Sequence, residues 1–179
     1  MYRFIRKVIG LIKALFLKAI YLSKIEGIFS SIGRGGEVLI IGENANMNIG
    51  KNVVIRNNVC LRITNGKLVL GDNVFLNDNL CLVSRKKIII GKNTLIGQNL
   101  CIYDNDHKYT DKSLIKEQGF ETKEVIIGEN VWIGSGSILL SGTIIGDNSI
   151  IAAGSIVKGI IPENCIYKNQ IVKKIEQIY

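Results

Sequence analysis

Isoleucine, leucine or valine recurs at every sixth residue at Ile127, Ile133, Leu139, Ile145, Ile151 and Val157, and glycine or alanine follows four of the six. Neither an α-helix nor an ordinary strand has that period. It describes a parallel β-helix, in which each turn holds three short strands and each strand buries one aliphatic side chain in a narrow prismatic core. The same spacing, with slips, runs back through Ile49, Ile55 and Leu61, through Leu70, Leu76 and Leu82, and through Ile90, Ile96 and Ile102. Turns therefore begin at residues 49, 70, 90, 127 and 145, with lengths of 21, 20, 37 and 18 residues. The long turn holds about nineteen residues more than an uninterrupted one, and these must leave the coil as a loop between Ile102 and Ile127. That loop carries the only histidine, His107.

A chain of 179 residues that is 47% apolar suits one compact domain, and its single proline and 19 glycines fit a coil that turns sharply three times per turn. The steps GEN, GKN, GDN and GKN at 42, 50, 71 and 91 read as corners, where glycine and asparagine tolerate positive φ. Gly33, Arg34, Gly35 and Gly36 read as a flexible join. Pro162 ends the six-residue pattern, and Ile171, Val172, Ile175 and Ile178 stand at helical spacing, which predicts a short C-terminal helix capping the open coil end. The organisation expected is a helical arm over 1–32, a β-helix over 38–162 with a loop at 103–124, and a cap over 163–179.

The formal charge of +8 is concentrated, because residues 1–24 hold six Lys or Arg and no acid. On a helical projection Arg3, Arg6, Lys7, Lys13, Lys18 and Lys24 fall on one side. Phe4, Val8, Leu11, Ile12, Leu15, Phe16, Ala19 and Leu22 fill the other. Lys13 and Lys18 interrupt every apolar run well short of the roughly 20 residues a membrane span requires. The expectation is a helix lying on an anionic membrane surface, with basic side chains toward the headgroups; the alternative is a helix docked on its own or a neighbouring subunit. Basic residues without an aromatic stacking platform or a groove-fitting motif argue against nucleic acid. No cleavage site follows the segment, so the protein is expected in the cytoplasm, peripheral on the inner face of the cytoplasmic membrane.

Cysteines at 60, 81, 101 and 165 form no CxxC pair and have no second histidine nearby, so no metal site is expected. Cys60, Cys81 and Cys101 each precede an inward position, Leu61, Leu82 or Ile102, and should stack on consecutive turns. In a reducing compartment they are expected as free thiols within an interface.

The run VWIGSGSILLSGTIIGDNSIIAAGSIVKGIIPEN, from Val131 to Asn164, resembles the C-terminal signature of the hexapeptide-repeat acyltransferases. Within that family it is most similar to the sugar O-acetyltransferases, which include maltose and galactoside acetyltransferases and polysaccharide-modifying enzymes. The resemblance covers roughly residues 38–175. It implies a left-handed parallel β-helix, all-β apart from its helical ends, assembled as a homotrimer with acetyl-CoA in the cleft between subunits and a loop histidine as base. The matching histidine is His107, in YDNDHKYTD. Imidazole chemistry agrees, since this side chain can take a hydroxyl proton near neutral pH and return it to a thiolate. Asp104 and Asp106 could orient the ring or cap the loop.

By the same resemblance the backbone N–H of Ser135 meets the oxyanion, and Trp132 and Ala153 line the pantetheine cleft. Lys158 and Lys173 lie near the adenosine phosphates, and Asn77 contacts the acceptor. The family's G-x-P-A-K element reads KNQIVKK over 168–174, keeping Lys173 and losing the glycine, proline and alanine. The function implied is acetyl transfer from acetyl-CoA to a sugar hydroxyl of a surface polysaccharide or its lipid-linked precursor. N-acetylation of a nucleotide-linked amino sugar, or a non-catalytic scaffold, are the alternatives. A zinc hydratase of the same architecture would need three histidines and is excluded.

Overall fold

A computed structural model describes residues 2–175, and it is the parallel β-helix that the six-residue spacing predicts. Three faces are built from sheets of seven, eight and six strands. One turn runs through Asn46–Ile49 on the first face, Val54–Ile55 on the second and Cys60–Thr64 on the third, then returns to the first at Lys67–Leu70. The periodic aliphatics stack in register: Ile49, Leu70, Ile90, Ile127 and Ile145 on the first face, and Ile55, Leu76, Ile96, Ile133 and Ile151 on the second. Leu61, Leu82, Ile102, Leu139 and Val157 do the same on the third. All are buried and form one continuous core. Cys60, Cys81 and Cys101 stack outside it as half-buried free thiols, as their shared slot predicts.

Corners are set by asparagine. Asn52, Asn73 and Asn93 hold φ at 58, 59 and 60°, a left-handed conformation that this short polar side chain tolerates. Their amides chain along the coil, with Asn52 Nδ2 donating to Asn73 Oδ1 at 3.1 Å and Asn73 Nδ2 to Asn93 Oδ1 at 2.9 Å. In the first of the four corner steps, positive φ falls on Gly42 instead of Asn44.

Both ends correct the sequence-based expectation. At the N-terminus the helix spans Tyr2–Ile20, and Ile25–Glu26 already pairs with the first face. Ser31–Ile32 and Glu37–Ile41 complete that turn, so residues 25–32 belong to the coil and not to a helical arm, and Gly35 and Gly36 form one of its corners. The helix lies across the open end through Gly10 and Ala14, both buried. A Cβ at Gly10 would sit 2.7 Å from Ser31 Oγ and 3.0 Å from Ile32 O, so only glycine permits this approach. Of the lysines expected to face lipid headgroups, Lys13 donates to Gly33 O at 3.1 Å, Lys24 to Gly42 O at 2.9 Å and Lys18 to Ile25 O. The reason is the exposed strand edge of the first turn, whose carbonyls have no strand below them and take side-chain donors instead.

At the C-terminus, Cys165–Lys168 and Ile171–Lys174 form an antiparallel hairpin in place of the expected helix. Asn169 and Gln170 take φ of 51 and 63°, the geometry of a two-residue hairpin turn, and the β-branched Ile171 and Val172 favour extension. The last strand edge of the second face is thereby paired. Ile178 lies outside the described residues.

Candidate active site

The long insertion leaves the coil after Cys101–Tyr103 on the third face and rejoins the first face at Val125–Ile127. Its base is a short antiparallel ladder, Asn105–His107 against Phe120–Thr122. Asp104 anchors that base. Fully buried, its carboxylate accepts from Arg85 N at 2.7 Å, Lys86 N at 2.8 Å, Ser84 Oγ at 2.9 Å and Asn105 Nδ2 at 3.1 Å. These four donors occupy both oxygens, so Asp104 holds the corner and takes no hydrogen bond from His107. Asp106 is exposed, opposite Glu121 in the ladder, and makes no hydrogen bond to the imidazole.

His107 pairs with Phe120, and their ring centroids lie 4.4 Å apart at 40°. The Arg85 guanidinium carbon sits 3.6 Å from the centroid of the same Phe120 ring. Neither Phe120 nor Arg85 was legible in the sequence, because the ladder register that joins them has no six-residue signal. The imidazole opens into a cleft of about 470 Å³ lined also by Asp106, Lys108, Tyr109, Glu121, Lys123, Ser141 and Lys158. Cations dominate there. The carboxyl of Glu121 is held below its ordinary range, first by a hydrogen bond from Lys123 at 3.0 Å and by that lysine's charge, then by Lys158 and Lys108.

A second cluster lies at the opposite edge of the third face, where the second face turns into it. Trp132 is 55% exposed and stacks between Leu95 and Ile150 on the outside of the second face. It shares a cleft of about 390 Å³ with Phe75, Asn77, Leu95 and Gly97. Asn77 Oδ1 accepts from Asp78 N at 2.9 Å, a corner contact.

At this corner the second residue's N–H is met by a side chain, from the next turn for Arg34, Asn57 and Gln98 and from the adjacent Asn77 for Asp78. Arg34 N–H donates to Asn57 Oδ1 at 3.0 Å, Asn57 N–H to Asp78 Oδ1 at 2.7 Å, and Gln98 N–H to Ser135 Oγ at 3.2 Å. Ser135 is followed in the stack by Ala153, and Gly154 N–H donates to Ser135 O at 2.9 Å. Alanine has no acceptor. The exposed N–H of Ser135 therefore has no partner among the described residues, and a small, donor-bearing surface is left beside Trp132. Lys173 pairs with Ile166 on the second face, whereas Lys158 lies in the His107 cleft, so one chain does not bring these two lysines together.

Residues 124–159 match the bacterial transferase hexapeptide model of six repeats. Over this segment the chain is similar to the hexapeptide-repeat transferases. A Mycobacterium tuberculosis protein named as an acetyltransferase is 34% identical over 136 residues, 75% of this chain and 45% of that protein. WbbJ of Escherichia coli, named as a lipopolysaccharide biosynthesis O-acetyl transferase, is 40% identical over 57 residues, 30% of this chain and 29% of that protein. The chain thus spans less than half the length of these curated relatives. Among solved structures, a galactoside acetyltransferase in complex with coenzyme A aligns with a TM-score of 0.54 and 28% identity over 82% of this chain and 65% of that one. AntD, an N-acyltransferase from Bacillus cereus, aligns with a TM-score of 0.68 over 90% of this chain and 87% of that one, and at 22% identity it shares the fold. Among the described residues no cluster of His, Cys, Asp or Glu could hold a metal ion.

Proposed function

We propose that this protein transfers an acetyl group from acetyl-CoA to a sugar hydroxyl, in a site completed between copies of a homotrimer. The observation that carries the reading is the unpartnered N–H of Ser135 at one edge of the third face, with His107 at the other edge. Closed cyclic assembly sets one copy's edge against its neighbour's, so that the two halves can face each other. The imidazole of His107 takes the proton of the acceptor hydroxyl as that oxygen bonds to the thioester carbonyl carbon. The Ser135 N–H stabilises the resulting oxyanion. On collapse the carbon–sulfur bond breaks, and the imidazolium returns its proton to the thiolate. Trp132 and the small surface at Ala153 fit a pantetheine arm, and the cations at Lys108 and Lys158 fit phosphate.

The acceptor in this reading is a hydroxyl of a surface polysaccharide or its lipid-linked precursor, supported by the name of the E. coli relative. Amine acceptors, as the name of AntD suggests for that protein, could use the same base. The test is acceptor-dependent release of CoA thiol with sugars, nucleotide sugars and lipid-linked glycans, for wild type and His107→Ala. Release that vanishes in the variant, with an ester-linked product, supports the reading. Equal release by both proteins removes His107 from its role, and an amide product replaces the hydroxyl with an amine.

A further inference from the structure

The N-terminal helix uses only a narrow stripe on its own coil. Gly10 and Ala14 are buried there, and Leu17 and Tyr21 are partly buried on the same side. At about 100° per residue these four positions span about 60°. Opposite them runs an exposed arc of about 180° that faces away from the coil. Phe4, Val8, Leu11, Ile12, Leu15 and Phe16 on this arc are 72, 41, 45, 59, 53 and 68% exposed. Lys13 and Lys18 stand at its two borders, and each donates to a coil carbonyl with one of the three N–H bonds an ammonium carries.

We infer that this arc docks on an anionic lipid surface, with the helix axis in the plane of the interface. Three properties select lipid as the occupant. The segment through residue 24 holds six cations and no acid, so a second copy of it would add only like charge, whereas anionic headgroups supply the opposite sign. The arc covers half of a convex cylinder, which an acyl boundary can wrap, while a protein groove takes a narrower stripe. Among the described residues no helix is long and apolar enough to cross a membrane, which leaves the surface orientation. The sequence places the cations on the lipid side; the structure turns Lys13 and Lys18 to the rim. Attachment comes mainly from the apolar arc, with charge as the selector. In a cyclic assembly every copy turns the same coil end to one side, so the helices would engage a single membrane together.

The experiment is co-sedimentation of the full chain with vesicles of phosphatidylcholine mixed with phosphatidylglycerol, and of phosphatidylcholine alone. Wild type should bind the anionic vesicles more tightly, with partial release by salt. Ile12→Glu and Leu15→Glu should each lower binding about tenfold or more, with melting temperature and CoA binding little changed, because both positions lie on the exposed side of the helix, away from the coil. Wild type remaining in the supernatant with both vesicles overturns the inference. So does equal sedimentation of wild type and both variants. A change of oligomeric state in the variants with unaltered vesicle binding would assign the arc to another copy. Because the readout is lipid binding, it stands or falls separately from the acyl-transfer reading.

Discussion

Asp104 offers a decisive substitution, since one carboxylate serves four donors at the root of the hairpin that carries His107. In Asp104→Asn the amide keeps one oxygen, sufficient for Arg85 N, now 2.7 Å away, and for Asn105 Nδ2 at 3.1 Å. Its NH2 group then faces Lys86 N–H, now 2.8 Å from Oδ2, and leaves that donor unmet. Ser84 Oγ, at 2.9 Å, can rotate to accept. One charge-assisted bond to a buried carboxylate is worth about 1.5–3 kcal/mol, and an unmet donor costs about 1–3 kcal/mol. As these overlap, the expected loss is about 2–3 kcal/mol, or about 4–12 °C in melting temperature for a chain of this size. Asp104→Ala strands both backbone donors and should cost more. The assay is thermal unfolding by circular dichroism at fixed protein concentration, beside the pH profile of kcat. The structural role predicts a lower melting temperature with an unshifted profile. A melting temperature within about 1 °C of wild type, together with a displaced pH profile, would refute it and return Asp104 to orienting the imidazole.

Ala153→Asn should install at the next turn the cap that Asn57 provides to Arg34, tying up the Ser135 N–H. Acyl transfer is expected to fall by about 10²-fold, the scale of losing one oxyanion donor, with no loss of melting temperature; unchanged kcat would show that this N–H is idle. The Asp78 carboxyl is held below its ordinary 3.8, chiefly by the Asn57 N–H and, against burial, by Arg56. A depressed folded value means stability fully present above about pH 4 and lost as pH falls through that value, so Asp78→Asn should flatten the acid limb of a melting-temperature profile. Burial first, then the neighbouring Cys60 and Cys101, push the Cys81 thiol above its ordinary value. Mass spectrometry after brief alkylation near neutral pH should find Cys81 unmodified in the native protein and modified once it is denatured; rapid native labelling would contradict its packing.

The sequence by itself determined the coil and much of its register. One inward aliphatic per strand means that six residues along the chain become one step around the prism, so stacking such as Ile127 on Ile145 follows from local spacing alone. It also determined the corners at Asn52, Asn73 and Asn93, the cysteine column and the emergence of His107 on the one long insertion. Tertiary structure decided what depends on residues far apart. Ile171 and Val172 have helical spacing with their neighbours but meet an open strand edge at Cys165–Lys168, and edge pairing prevails. The side of the N-terminal helix that faces inward is chosen by the close approach at Gly10, not by its amphipathic pattern. The contact of Phe120 with His107 and Arg85 exists only once the hairpin closes. The freedom of the Ser135 N–H rests on an alanine one turn away, a relation that only the stacking of turns creates.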